Sequence, residues 1–119
     1  MIHLQNSELR IMHILWDMGD TPAREIAKIL NERLGWSKNT TYTLIKRCIT
    51  KNAITKHEPN YICHANITRE EAQIIETQTL ADKIFDGKID NLFASILHQK
   101  GLSESKIQAL KTLINENDE

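Results

Sequence analysis

The sequence predicts a mainly α-helical chain in two parts: three helices closed by a small β-hairpin, followed by a further run of helices. Three observations predict it. Apolar residues recur at helical spacing through most of the chain. Glycines and capping residues divide that periodicity into six segments, and the pattern turns extended at one place, on either side of a proline-bearing turn.

Gly19, Gly35, Gly87 and Gly101 each follow an apolar-periodic segment, where a left-handed residue commonly closes a helix. Starts are marked by Thr21 before Pro22, by Ser37, by Thr68 with Glu71 three residues on as a capping box, and by Ser103. The predicted helices therefore span 6–18, 22–34, 38–51, 69–85, 88–99 and 104–116. The first supplies Leu9, Met12, Leu15 and Trp16 to a core, and the second supplies Ala23, Ile26, Ala27, Leu30 and Leu34.

The third helix has two unlike faces. Thr41, Leu44, Ile45 and Cys48 recur at i, i+3, i+4 and i+7, a stripe for the core. The other face carries Asn39, Thr40, Tyr42, Thr43, Lys46, Arg47, Thr50 and Lys51, and no acid occurs between Gly35 and His57. Amides, hydroxyls and positive charge suit a polyanion that also displays base edges. A merely solvated face has the same composition, so the order of the surrounding elements has to decide.

That order is informative. Residues 53–57 and 61–65 flank Glu58-Pro59-Asn60 and read as a two-stranded hairpin, which is marginal alone and must pack on the helices. Three helices and a hairpin, the third helix basic outside, is the winged helix-turn-helix plan with a small β-hairpin wing. In that plan the third helix enters the major groove and the wing lies along the backbone. Asn39, Thr40 and Thr43 are then placed to reach base edges, and Tyr42 to pack on sugar or a thymine methyl. Ser37, Lys38, Lys46 and Arg47 become phosphate anchors, and Lys56, Asn60 and Tyr61 of the wing add backbone contacts, Tyr61 serving equally well as a core ring with its hydroxyl exposed.

The formal net charge of −1 over 119 residues conceals an asymmetry. Residues 1–65 hold nine Lys/Arg against six Asp/Glu, and residues 66–119 hold six against ten. The basic part suits nucleic acid and the acidic part suits protein contact. Its two later helices carry the stripes Leu92, Phe93, Ile96, Leu97 and Ile107, Leu110, Leu113, Ile114. A winged helix closes its own small core, so these stripes point to a two-fold dimer, which also sets two recognition helices on one face of DNA. The expected division is 1–67 for DNA binding and 68–119 for helical dimerisation.

Other classes find little support. No apolar run approaches the ~20 residues of a membrane helix, and no secretory signal pattern opens the chain, so no membrane insertion and a cytoplasmic location are expected. Cys48 and Cys63 read as reduced packing residues rather than a disulfide or metal pair. His3, His13, His57, His64 and His98 lack ligand spacing, and neither a nucleophile elbow, a zinc-protease motif nor a phosphate-cradling glycine loop is present. Neither enzyme activity nor a cofactor is expected. The competing class is a winged helix that binds protein instead of DNA.

The stretch Glu8 to Trp16, then Trp36-Ser37 with Thr40, Thr43-Leu44-Ile45 and Arg47, then Tyr61 and Ile67 to Ala72 resemble the penicillinase-repressor (BlaI/MecI) family almost end to end. The resemblance implies a dimeric transcriptional repressor on a palindromic operator, controlling β-lactamase or antibiotic-resistance genes. It also implies relief of repression by cleavage of the repressor, triggered by a membrane β-lactam sensor or a protease acting under it. Two departures bear on that transfer. The copper-responsive (CopY) branch forms its metal site with paired C-terminal Cys-x-Cys motifs, and residues 66–119 contain no cysteine; His57, Cys63 and His64 are the alternative ligands. Some members are cleaved at an Asn-Phe pair in the fifth helix, where this chain has Ser95-Ile96.

Overall fold

The computed structural model describes residues 2–99 and 103–116, so the expected stop at Gly101 lies outside the described residues. Its helices are α1 (Asn6–Met18), α2 (Ala23–Leu34), α3 (Lys38–Thr50), α4 (Arg69–Ile84), α5 (Ile89–Leu97) and α6 (Glu104–Glu116). Its strands are β1 (Thr21–Pro22), β2 (Ile54–His57) and β3 (Ile62–Ala65). The chain divides into two compact units, Met1–Glu76 and Thr77–Glu119.

In the first unit the helix stripes converge on one core. Ile11, Met12, Ile26, Ile45 and Ile54 are essentially sealed from solvent, joined by Leu15, Leu30, Leu44 and Cys48. Leu9 and Trp16 pack at its edge, whereas Leu34, expected in the core, is 41% exposed. Leu34 is the last residue of α2, and Gly35 turns the chain away with φ +71 while its N–H returns to the Asn31 carbonyl at 2.9 Å.

The wing is a three-stranded antiparallel sheet in the order β1-β3-β2, not a lone hairpin. Thr21 pairs with Cys63 and Pro22 with Ile62, and the Ala23 N–H donates to the Tyr61 carbonyl at 2.9 Å. Thr21 therefore does not cap α2. Its hydroxyl donates to the Gly19 carbonyl at 2.8 Å, and the start of α2 is held by backbone pairing to β3. Proline is tolerated in β1 because that strand lies at the sheet edge. In the β2–β3 ladder Ile54 opposes Ala65 and Lys56 opposes Cys63. Strand alternation then sets Ile54, Lys56, Tyr61 and Cys63 on the face towards the helices and Thr55, His57, Ile62 and His64 on the other.

The remaining starts follow their side chains. The Thr40 N–H donates to Ser37 Oγ at 3.2 Å, and the Lys106 N–H to Ser103 Oγ at 3.2 Å. Thr68 and Glu71 form the reciprocal capping box: the Glu71 N–H donates to Thr68 Oγ1 at 3.0 Å and the Thr68 N–H to Glu71 Oε1 at 3.3 Å. In the first unit Trp16 Nε1 donates to the Ile67 carbonyl at 2.9 Å, and Ala72 is buried.

In the second unit α4 ends at a turn where Asp86 has φ 53 and Gly87 φ 77, the Gly87 N–H reaching back to the Ala81 carbonyl at 2.9 Å. Ala81 and Leu92 are buried there, whereas Leu80 and Ile84 are exposed. No helix among the described residues is long and apolar enough to cross a membrane.

Candidate nucleic-acid interface

Thr41, Leu44, Ile45 and Cys48 are all buried, so α3 turns the expected stripe to the core and its other face outward. Ser37, Lys38, Asn39, Thr40, Thr43, Lys46 and Arg47 are exposed. Asn39, Thr40, Thr43 and Arg47 line one shallow groove, whose remaining walls are Ser7, Trp36 and Leu44. Thr43, Lys46, Arg47, Thr50 and Lys51 line a second depression further along the helix. Amide, hydroxyl and guanidinium groups thus share a single surface, the donor and acceptor types that duplex DNA takes up at base edges and phosphates.

Two of these groups are already engaged. Ser37 Oγ caps α3 and lies 2.9 Å from Thr40 Oγ1, so the pair forms a fixed unit at the helix start. Tyr42 is half-buried and meets Tyr61 edge to face, with ring centroids 5.7 Å apart. Lys38 Nζ lies 5.6 Å from the Tyr42 centroid, and Lys56 Nζ 4.0 Å from the Tyr61 centroid. Lys38, Tyr42, Tyr61 and Lys56 therefore form one cation and aromatic stack that joins α3 to the wing. The sequence assigned the α3 pair and the wing pair to different roles; their contact depends on the register of β3, which no local pattern reveals.

Tyr61 combines its two alternatives, a ring packed at the core edge with φ 52 and a hydroxyl whose pKa is raised, chiefly by burial, with Lys56 opposing. Asn60, with φ 74, is exposed in the wing turn, and Lys56 also pairs with Glu58 at 3.1 Å. Both Lys56 and Glu58 are well exposed, so that pair is weak and leaves the lysine exchangeable for another anion.

Lys51 lines the outward depression, but its ammonium is already engaged. Its Nζ lies 2.6 Å from Glu8 Oε1 and 3.0 Å from the His3 carbonyl, and the Glu8 side chain is only 1% exposed. The signal was present in the sequence: Glu8 stands at i of the stripe Glu8, Ile11, Met12, Leu15, an acid at a core position that demands a cation.

The histidines and cysteines do not assemble a site. His64 Nδ1 lies 2.8 Å from Asp20 Oδ1, and the His57 and His64 rings are 6.1 Å apart. Cys63 is buried on the opposite face of β3 from His64, and among the described residues no group of three His, Cys, Asp or Glu is placed to hold a metal. Both cysteines are free thiols; burial pushes Cys48 up to about 12, with Glu8 adding to it, and Cys63 up to about 11.

Of the residues expected at a dimer contact, Leu92 is buried within its own chain, and Phe93, Ile96, Leu97 and Ile107 are half-buried. The side chains of Leu110, Leu113 and Ile114 lie outside the described residues. Ser95 is exposed on α5.

The penicillinase repressor family profile matches residues 4–116. The chain is 22% identical over 117 residues to the penicillinase repressor of Staphylococcus aureus, covering 97% of this chain and 93% of that protein. It is 26% identical over 113 residues to an uncharacterised 16.5 kDa protein of Latilactobacillus sakei, covering 93% and 77% respectively. Among solved structures it resembles the solution structure of the DNA-binding domain of the repressor BlaI, with TM-score 0.55 and 25% identity over 59% of this chain and 88% of that one. It also resembles monomeric Bacillus licheniformis BlaI in complex with the blaP half-operator, with TM-score 0.51 and 27% identity over 58% and 87%.

Proposed function

The chain belongs to the penicillinase repressor family of DNA-binding transcriptional repressors, and on that premise we propose that it acts as a homodimer on a palindromic double-stranded operator. One observation carries the proposal: the exposed amide, hydroxyl and cationic face of α3, a helix without an acidic residue, is joined to the wing by the Tyr42–Tyr61 contact. Asn39, Thr40 and Thr43 reach base edges in the major groove. Lys38, Lys46 and Arg47 neutralise phosphates, with Ser37 holding the helix start beside them. Lys56, Asn60 and Tyr61 follow the backbone from the wing.

In this account residues 1–67 bind DNA and residues 68–119 dimerise, through the apolar stripes of α5 and α6. The controlled genes are those of β-lactamase or β-lactam resistance, supported by the likeness to the staphylococcal penicillinase repressor along nearly its whole length. Relief comes from proteolysis of the C-terminal region downstream of a membrane β-lactam sensor, since cutting there unlinks two half-site contacts without touching the DNA-reading face.

A gel shift with duplex DNA at rising salt tests the reading. Retardation that weakens steeply with salt is expected; no retardation even at low salt would leave a winged helix that binds protein.

A further inference from the structure

We propose that Glu8 and Lys51 are positioning residues for α3, pinning its C-terminal end to α1 and the N-terminal arm. The proposal rests on the reading of α3 as the DNA-reading helix.

Glu8 Oε1 accepts from Lys51 Nζ at 2.6 Å and from the Gln5 N–H at 2.7 Å, and the same ammonium donates to the His3 carbonyl at 3.0 Å. Three bonds at one carboxylate and one ammonium thus join the end of α3 to residues 3–8, more than forty positions earlier in the chain. The pair differs in kind from Lys56–Glu58 and Arg69–Asp17, whose four side chains are all more than a third exposed. Glu8 is sealed from solvent, and its Oε2 has no hydrogen-bond partner among the described residues, so Lys51 is the cation that faces this buried side chain.

Lys51 is also the C-cap residue of α3, where an ammonium complements the negative end of the helix, and its own N–H returns to the Arg47 carbonyl at 3.0 Å. Lys51 lines the depression of Thr43, Lys46, Arg47 and Thr50, yet its ammonium is held by Glu8. The end of α3 is thus tied to α1 through a lysine at the end of that depression and a buried carboxylate beneath it.

Glu8→Gln keeps the shape and an acceptor oxygen but removes the charge. Adding Lys51→Met removes both charges, so that no buried charge is left alone. In the free protein, amide hydrogen exchange over residues 48–53 is expected to quicken about tenfold or more in Glu8→Gln, while Ile11 and Ile26 keep their protection. Unchanged exchange over 48–53 would overturn the pinning. On a duplex selected from a random library, Glu8→Gln is expected to lose about tenfold in affinity while random duplex changes less than about twofold. Equal losses on both duplexes would overturn the positioning role. The double variant is expected to keep the parent's salt slope on random duplex, because Glu8 holds the Lys51 ammonium; a slope shallower by about 0.9 would show Lys51 on a phosphate and overturn its role as a positioning residue. If the parent itself bound no duplex, the DNA reading would fail, and the exchange measurement would still decide the pinning.

Discussion

Lys46→Ala probes the phosphate row most cleanly. Lys46 is exposed on the outward face of α3, lines the depression with Thr43, Arg47 and Thr50, and makes no ion pair with another described residue. Its ammonium is therefore removed without orphaning a buried partner, and alanine is the better helix former. A lysine that neutralises one phosphate releases about 0.9 counterion, so the slope of log affinity against log salt becomes shallower by about 0.9 per protomer bound. Over a fourfold change, from about 50 to about 200 mM salt, that contact alone accounts for about 3.5-fold in affinity, and about 12-fold when both protomers of a dimer engage. Fluorescence anisotropy titrations of parent and variant on random duplex, repeated over that salt range, give the two slopes. The lines should converge as salt rises. Parallel lines would show that Lys46 touches no phosphate and would remove the row from the account.

Four further outcomes are expected. Asn39→Ala or Thr43→Ala should each cost about 1 to 3 kcal/mol on the cognate operator with little change on random duplex, measured by competitive titration; equal loss on both would exclude base readout. Thr41→Val should stabilise the fold by about 1 kcal/mol, read as a higher denaturant midpoint, because Thr41 Oγ1 is buried with no hydrogen-bond partner among the described residues; a lowered midpoint would mean the hydroxyl is satisfied. Burial raises both thiols above the ordinary 9.0, to about 12 and about 11, so the native state holds those protons longer than the unfolded chain. Their contribution to stability is full below about pH 9 and falls as pH rises towards those values, and a Cys48→Ala/Cys63→Ala variant should show a flatter decline in urea melts above about pH 9. Replacing Leu110 and Leu113 together with Asp should give monomers by sedimentation that lose about 100-fold or more on a full operator and keep half-site binding; a dimeric variant would misplace the interface.

The helices and the β2–β3 hairpin were legible because each is announced locally: a capping hydroxyl at Ser37 or Thr68, a left-handed glycine at Gly35, a proline turn at Pro59. What escaped depends on partners distant in the chain. Strand β1 has two residues and no pattern of its own; it exists because β3 presents an unpaired edge to Thr21 and Pro22. The engagement of Lys51 is decided by Glu8, and Leu34 is exposed because the helix ends beneath it. On the candidate surface, the identity of the exposed groups followed from helical spacing, whereas the Lys38–Tyr42–Tyr61–Lys56 stack needed the wing register.

Selection of duplexes from a random library by the purified full chain tests the central claim most directly, since it asks at once for DNA binding, sequence preference and two-fold symmetry. The account predicts enrichment of an inverted repeat whose half-sites lie one or more helical turns apart on one face of the duplex. Enrichment of an unsymmetrical site, or retention of no duplex above background, would contradict it.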